Sequence, residues 1–382
     1  MQYCWWDNRG MGLRPGRLLA LLLRVLLLPG LLVTTGCSTL GFYSQAIAGQ
    51  MALLAKRRDI EAVIADPATD DVLRQKLTLV EEVRAFAGGE LGLPVDETFG
   101  SYVDTERDFV VWNVFAAKEF STWLETFCYP IAGCVSYRGY FSEDRAQAFA
   151  ESLAAEGLEV FVGGVAAYST LGWFADPVLN TFVRRDDTRL AALLFHELAH
   201  KALYLPGDTR FNESFATALE RQALKRWLAS KADGTSAVAF QNYLARQKRE
   251  ESVIQLIDGT RQALETLYAS EIPDDVKRTR KARLIDGMRA SYEQLRLGWA
   301  VGNEFQNWMQ GDINNARMGT VADYHGWVPA FDALFRSVDG DLVRFVAEAA
   351  RISRLDAEAR AARLQLLAEH GEADTGNDYN AE

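Results

Sequence analysis

Apolar residues recur at helical spacing between Tyr43 and Ala87: Ile47, Met51 and Leu54, then Ile60 and Val63, then Leu73, Leu77, Val80 and Val83. Gly88-Gly89 and the 92–94 stretch close that region. From Tyr102 to Phe115 the alternation shortens to a period of two, which predicts two strands, the stronger over Phe109 to Phe115. Val135 to Phe141 reads as a further short strand. Ser142 can cap a helix from Glu143 to Ala155, Gly157 stops it, and Leu158 to Tyr168 is again a strand. After Asp186-Asp187 the helical period dominates. It predicts helices over Leu190 to Tyr204, Glu213 to Leu228, 236–268, 276–298, 326–336 and 341–368, with a polar tail over 371–382. A small, mainly antiparallel or mixed sheet followed by a predominantly helical half is an α+β arrangement. The expected segments are a leader over 1–36, a helical region over 37–100, one domain over 101–370 and the tail.

The first residues follow a different logic. Arg9, Arg14 and Arg17 precede an apolar run from Leu18 to Val33, broken by Arg24 and Pro29. A basic stretch before a leucine-rich one reads as an export signal. Arg24 counts against a spanning helix, because a mid-membrane Arg costs about 2.5 kcal/mol or more. Met11 is an alternative start. The run ends in Val33-Thr34-Thr35-Gly36-Cys37-Ser38, which resembles the lipobox of bacterial lipoproteins, with Thr34 where leucine is usual. That resemblance implies cleavage before Cys37, acylation of its thiol, and a membrane-anchored body facing the periplasm, at the outer membrane.

Composition narrows the class. A formal charge of −11 over 382 residues, with no compensating basic stripe, speaks against nucleic acid as a partner. Outside the cytoplasm thiols oxidise, so Cys128 and Cys134, flanking Pro130 and Gly133, are either a disulfide or two buried thiols; spacing leaves both open.

Candidate chemistry centres on Phe195-His196-Glu197-Leu198-Ala199-His200, an HExxH motif within a helical run. Residues four apart share a helical face, so His196 and His200 can aim at one point. Zn2+ takes imidazole nitrogens at about 2.0–2.1 Å, and a catalytic site keeps three protein ligands and an open position for water. Glu197 is then placed to act as general base on that water. A third ligand must come from elsewhere. Twelve residues after His200 comes Asn212-Glu213-Ser214-Phe215-Ala216-Thr217. The segment resembles the NEGFA-type segment of the gluzincins, notably the alanyl and leucyl aminopeptidases, which implies Glu213 as the third ligand. The interval is shorter than in those enzymes, so Glu220 stays open as an alternative. Asn212 is expected to cap the second helix, with Glu213 in its first turn.

Taken together, the chain resembles a bacterial family of zinc aminopeptidases inferred from sequence and often made as lipoproteins. The resemblance rests on Gly133 to Phe141, Ala167 to Phe174, the HExxH and FNESFA segments, Asn314-Asn315-Ala316-Arg317 and Tyr324. It implies a zincin-like domain that cleaves short peptides from their N-termini with one Zn2+. Val165 to Gly172 is either the strand that pairs with substrate, through Tyr168, Ser169, Thr170 and Gly172, or an ordinary sheet strand. Tyr324 and His325, with Tyr168 behind them, are candidates for stabilising the oxyanion, each against a plain structural hydrogen bond. Arg138 is either a holder of a substrate carboxylate or half of an ion pair, and Asn314-Asn315 either caps a helix or shapes the cleft. No GxMEN segment supplies acidic groups for a free amine. A catalytically silent zinc lipoprotein that binds peptide or a protein partner is the alternative, against which the intact Glu197 argues.

Overall fold

A computed structural model describes residues 41–129, 133–167, 175–231, 234–321 and 326–378. The expected leader and Cys37 lie outside these, as do Tyr168 to Phe174, Tyr324 and His325. The described chain opens with helix α1 (41–55), most of which belongs to a unit of its own; the second unit, Leu53–Glu382, holds everything below.

The fold is α+β, with three small sheets among mostly helical elements in the described residues. One sheet is mixed. In it β1 (Arg58–Asp59) pairs antiparallel with β2 (Ser101–Val103), which pairs parallel with β8 (Val178–Leu179). The second is antiparallel, ordered β6 (Arg138–Tyr140), β3 (Val111–Lys118), β7 (Leu158–Val165), so β7 is an edge strand among the described residues. The third pairs β4 (Phe127–Tyr129) with β5 (Gly133–Val135), where Cys128 faces Cys134 and the two sulfurs are bonded. The expected strand over Val135 to Phe141 is therefore two strands, β5 and β6, broken at Ser136-Tyr137.

Helices α2 (Ile60–Ala65) and α3 (Asp71–Gly89) begin at Asp59 and Asp70, whose carboxylates accept the free N–H groups of the first turns. Helix α4 (Glu143–Ala155), capped by Ser142, packs against β3 and β7. After the short α5 (Asn180–Val183) come α6 (Asp187–Ala202) and α7 (Thr209–Ser230), packed side by side. Their core is fully buried: Leu190, Leu194, Phe195 and Leu198 from α6, with Phe211, Phe215 and Leu219 from α7. Val80 and Val83 of α3 join the same core, and Phe86 meets Phe195 edge-on.

The long pair α8 (Ser236–Ala269) and α9 (Asp274–Leu297) closes its own smaller core around Val253, Ile257, Ile285, Met288 and Tyr292. Short helices α10 (Gln306–Gln310) and α11 (Asn315–Gly319) join it to the sheet. Asn314 caps α11. Asn315, almost fully buried, accepts from the Tyr268 hydroxyl and donates to the carbonyls of Lys118 and Glu119. The single helix expected over 341–368 is two, α13 (Leu342–Ser353) and α14 (Ala357–Asp378), because Asp356 caps a new start. Before them α12 (Val328–Ser337) lays Phe331 against Phe211 and Phe215. Helix α14 also runs through most of the expected polar tail.

Glu304 anchors the connection after α9. Its two oxygens take the Arg249 guanidinium at 2.8 and 3.0 Å, which holds its carboxyl below the usual range. A depressed carboxyl stabilises the fold above its unfolded pKa, about 4.3, and loses that contribution as pH falls through its folded value. Glu304→Gln should therefore cost about 1.5–3 kcal/mol at neutral pH. The gap to the parent should shrink below about pH 4 in urea unfolding; a gap independent of pH would refute the assignment.

Candidate metal centre

The αα-hairpin of α6 and α7 is fixed at both ends. Asp186 caps α6 by accepting from the Arg189 N–H, and Asp208, not Asn212, caps α7 by accepting from the Phe211 N–H. Helix α7 starts four residues earlier than its apolar period implied, because Asp208 after Pro206-Gly207 is the first residue able to cap. Asn212 thus sits inside the helix, buried. Its amide accepts from the Leu205 N–H and donates to the Leu205 carbonyl, both at 2.8 Å, so it pins the connection between the two helices. Glu213 is consequently in the second turn of α7 rather than the first.

Across this hairpin three side chains converge. His196 Nε2 lies 3.2 Å from His200 Nε2 and 3.2 Å from Glu213 Oε2, while His200 Nε2 lies 3.6 Å from Glu213 Oε1. One donor atom from each falls within 4.8 Å of the others, a grouping that could hold a metal ion. A tetrahedral divalent ion with ligands at about 2.0–2.1 Å sets neighbouring donor atoms about 3.3 Å apart. The observed edges match that spacing. The donor set therefore fits such an ion.

The electrostatics agree. Burial alone would raise the Glu213 carboxyl, but hydrogen bonds to His196 and His200 outweigh it and hold Glu213 well below the usual range. Burial likewise opposes charge on His196, and is outweighed by Glu213 and Glu220, which raise it. The cluster is built to stabilise positive charge at its centre.

Glu220 does not join this triangle. It is one helical repeat of two turns beyond Glu213, on the same face of α7, and its Oε2 lies 3.0 Å from His196 Nδ1. Its other oxygen accepts from the Tyr243 hydroxyl at 2.8 Å. Gln247 donates to that hydroxyl and accepts from Arg221, which is paired with Asp332 at 2.6 Å. This chain of hydrogen bonds runs from α6 through α7 and α8 to α12. It fixes the His196 ring and leaves Nε2 as the nitrogen facing His200 and Glu213.

Glu197 lines a cavity of about 990 Å³ together with His196 and Glu220. Burial pushes its carboxyl up, against the lowering effect of His196 and His200. The wall opposite in sequence is the end of β7: Gly164, Val165, Ala166 and Ala167 all line the cavity. A Cβ at Gly164 would meet the Phe109 ring at 2.4 Å, so glycine is what lets that ring lie against the strand. Of the expected substrate strand, Val165 to Ala167 is thus in the site; Tyr168, Ser169, Thr170 and Gly172 lie outside the described residues.

Tyr324 and His325 also lie outside them. The chain resumes at Gly326, and the Trp327 N–H donates to Ser214 Oγ, next to Glu213, at 3.1 Å. Two tyrosines that the motif reading passed over do lie near the cluster. The Tyr204 ring meets His200 edge-on at 6.4 Å, and Tyr137 and Tyr204 are both raised, first by burial and then in part by the Glu213 charge. Tyr204 stands two residues past the end of α6, beyond the extended Leu203, in a stretch the helical period had assigned to the helix. Tyr137 lies in the Gly133 to Phe141 segment that carries the family resemblance, but the resemblance assigns it no role there. Arg138 lies over the Phe149 ring at 4.6 Å rather than in the cavity lining.

The model of a family described as "Putative aminopeptidase" matches residues 41–364. The chain belongs to that family. Membership of this aminopeptidase family supports a peptidase in outline, and the His196–His200–Glu213 triangle falls inside the matched range. No curated protein and no solved structure matches the chain.

If Glu220 orients His196, Glu220→Gln or Tyr243→Phe should keep the fold but weaken divalent-metal affinity roughly 10- to 100-fold. Glu213→Ala should abolish it. Competition titration with a chromophoric chelator measures all three; equal affinity in Glu220→Gln and the parent would remove Glu220 from this role.

Proposed function

We propose that this protein is a zinc-dependent peptidase, cutting short peptides with a water activated beside His196, His200 and Glu213. One observation carries the reading: three donor atoms at tetrahedral spacing with Glu197, the residue after the first histidine, lining the adjoining cavity. Two imidazoles and one carboxylate are a donor set that zinc favours at catalytic sites. When bound there, zinc supplies a Lewis acid that polarises a carbonyl and brings the pKa of a water towards about 7.

The chain's own groups do the rest. Glu197 takes a proton from the attacking water and delivers it to the departing amine nitrogen. Its raised pKa suits both halves of that exchange, since a base that must return its proton works best with a pKa near the working pH. The edge strand β7 ends at Val165, and the chain from there to Ala167 lines the cavity, where an extended peptide can lie alongside it. Tyr204 or Tyr137, both kept protonated by burial, can donate to the carbonyl oxygen as it gains charge. Among the cavity's lining groups, the acids are already engaged or catalytic: Glu220 with His196, Glu250 with Arg246, Asp186 as a cap, Glu197 as base. Among the described residues lining the cavity, no further carboxylate is left for a free amine, and removal of N-terminal residues is carried by the family description.

The same reading places the protein in the cell envelope, anchored by lipid on Cys37. It is supported by the basic-apolar leader and by the Cys128–Cys134 disulfide, which suits an oxidising compartment. No helix among the described residues is long and apolar enough to cross a membrane.

Glu197→Gln should retain one zinc per chain and lose about 10²- to 10⁴-fold in kcat on a short fluorogenic peptide. Turnover at the parental rate would refute the mechanism, and an inactive parent with bound zinc would favour a peptide-binding role. Cys37→Ser should shift the protein from the membrane to the soluble fraction and abolish incorporation of a fatty-acid analogue; an unchanged distribution would refute the anchor.

A further inference from the structure

The cavity wall formed by the start of α6 and one face of α8 carries four arginines: Arg185, Arg189, Arg246 and Arg249. Three have partners. Arg249 is held in a fork by Glu304, Arg246 reaches Glu250 at 2.8 Å and Glu304 at 3.7 Å, and the exposed Arg189 reaches Asp186 at 3.5 Å. Arg185 differs. Among the described residues its guanidinium has neither a hydrogen bond nor an ion pair, although it is half-buried. Its backbone is fixed, since the Arg185 N–H donates to the Phe182 carbonyl and Lys76 Nζ donates to the Arg185 carbonyl.

Its surroundings make that isolation costly. Burial, then the charges of Arg189 and Arg246, act against its proton, with Glu197 and Asp186 only partly offsetting them. Glu197 is not its partner, since no ion pair joins the two and the base must stay free to exchange a proton. A partly desolvated cation among like charges, open to a cavity, is stabilised by an anion that arrives with the ligand. Guanidinium presents two parallel N–H groups that match the two oxygens of a carboxylate.

We propose that Arg185, reinforced by Arg189 and Arg246, receives a carboxylate of the bound peptide and so sets the substrate class as short peptides bearing one there. The carboxylate is either the free C-terminus or an acidic side chain. At about 990 Å³ the cavity holds a peptide of only a few residues, so either source can reach this wall while the backbone lies along Val165 to Ala167. The inference rests on the peptidase reading above, and it supplies the anionic-group recognition that Arg138, stacked on Phe149, does not.

Four versions of one short peptide test it: free acid and C-terminal amide, each with Glu or Gln at one side chain. Calorimetry on the zinc-loaded parent should show one carboxylate worth roughly 10- to 100-fold in affinity. Arg185→Ala should bring that ratio close to one, with Arg185→Lys in between because it keeps the charge and loses the fork. Which pair shows the preference identifies the source. Equal binding of all four by the parent overturns the inference without using any variant, as does an undiminished preference in Arg185→Ala. Hydrolysis with no carboxylate preference would overturn this inference alone, whereas a preference in binding with no hydrolysis would uphold it and sink the peptidase reading.

Discussion

Two imidazole nitrogens held 3.2 Å apart, with a carboxylate oxygen at the same distance from one of them, bring three lone-pair atoms to one point that a shared proton or a cation must join. That requirement organises the rest of the structure. A proton bridges one such pair; a cation with several coordination positions would satisfy all three atoms together. The hairpin of α6 and α7 supplies the rigidity. Its inner residues are completely buried, and Asn212 ties its connection, so the side chains cannot relax apart without opening the core. The hydrogen-bond chain from His196 through Glu220, Tyr243, Gln247 and Arg221 to Asp332 extends that rigidity to α8 and α12.

Much of this was legible in the chain because it follows from short-range periodicity. Residues four apart on a helix must share a face, so His196 and His200 pointed together before any coordinates. The α+β class followed from a change of period near residue 186. What was not legible depends on contacts between elements. Asn212 resembled a helix cap because asparagine is good at capping, yet Asp208 stood earlier and took the position. Glu220 and Glu213 are both acidic and share a face of α7; only the placement of α7 against α6 decides which meets Nε2 and which Nδ1. Arg185 was invisible for the same reason, since its importance lies in a partner it lacks.

The cavity then divides its labour between two kinds of charge. At the hairpin, negative groups gather around a site for a cation. Along α8 and the start of α6, guanidinium groups gather with one more positive charge than the neighbouring acids neutralise. On the proposed reading a peptide laid along the end of β7 would meet both, and so be given a direction: its scissile bond beside Glu197 and its anionic group beside Arg185. On that reading orientation would be fixed through charge, while the small, apolar lining of Val165, Ala166 and Ala167 would place few demands on side-chain shape.

Zinc K-edge X-ray absorption on the purified, zinc-loaded protein examines the converging triangle itself. The geometry predicts four- or five-coordinate zinc with two imidazole nitrogens and oxygen donors, all near about 2.0–2.1 Å. A six-coordinate, all-oxygen shell, or a spectrum lacking the multiple scattering of two imidazoles, would contradict it.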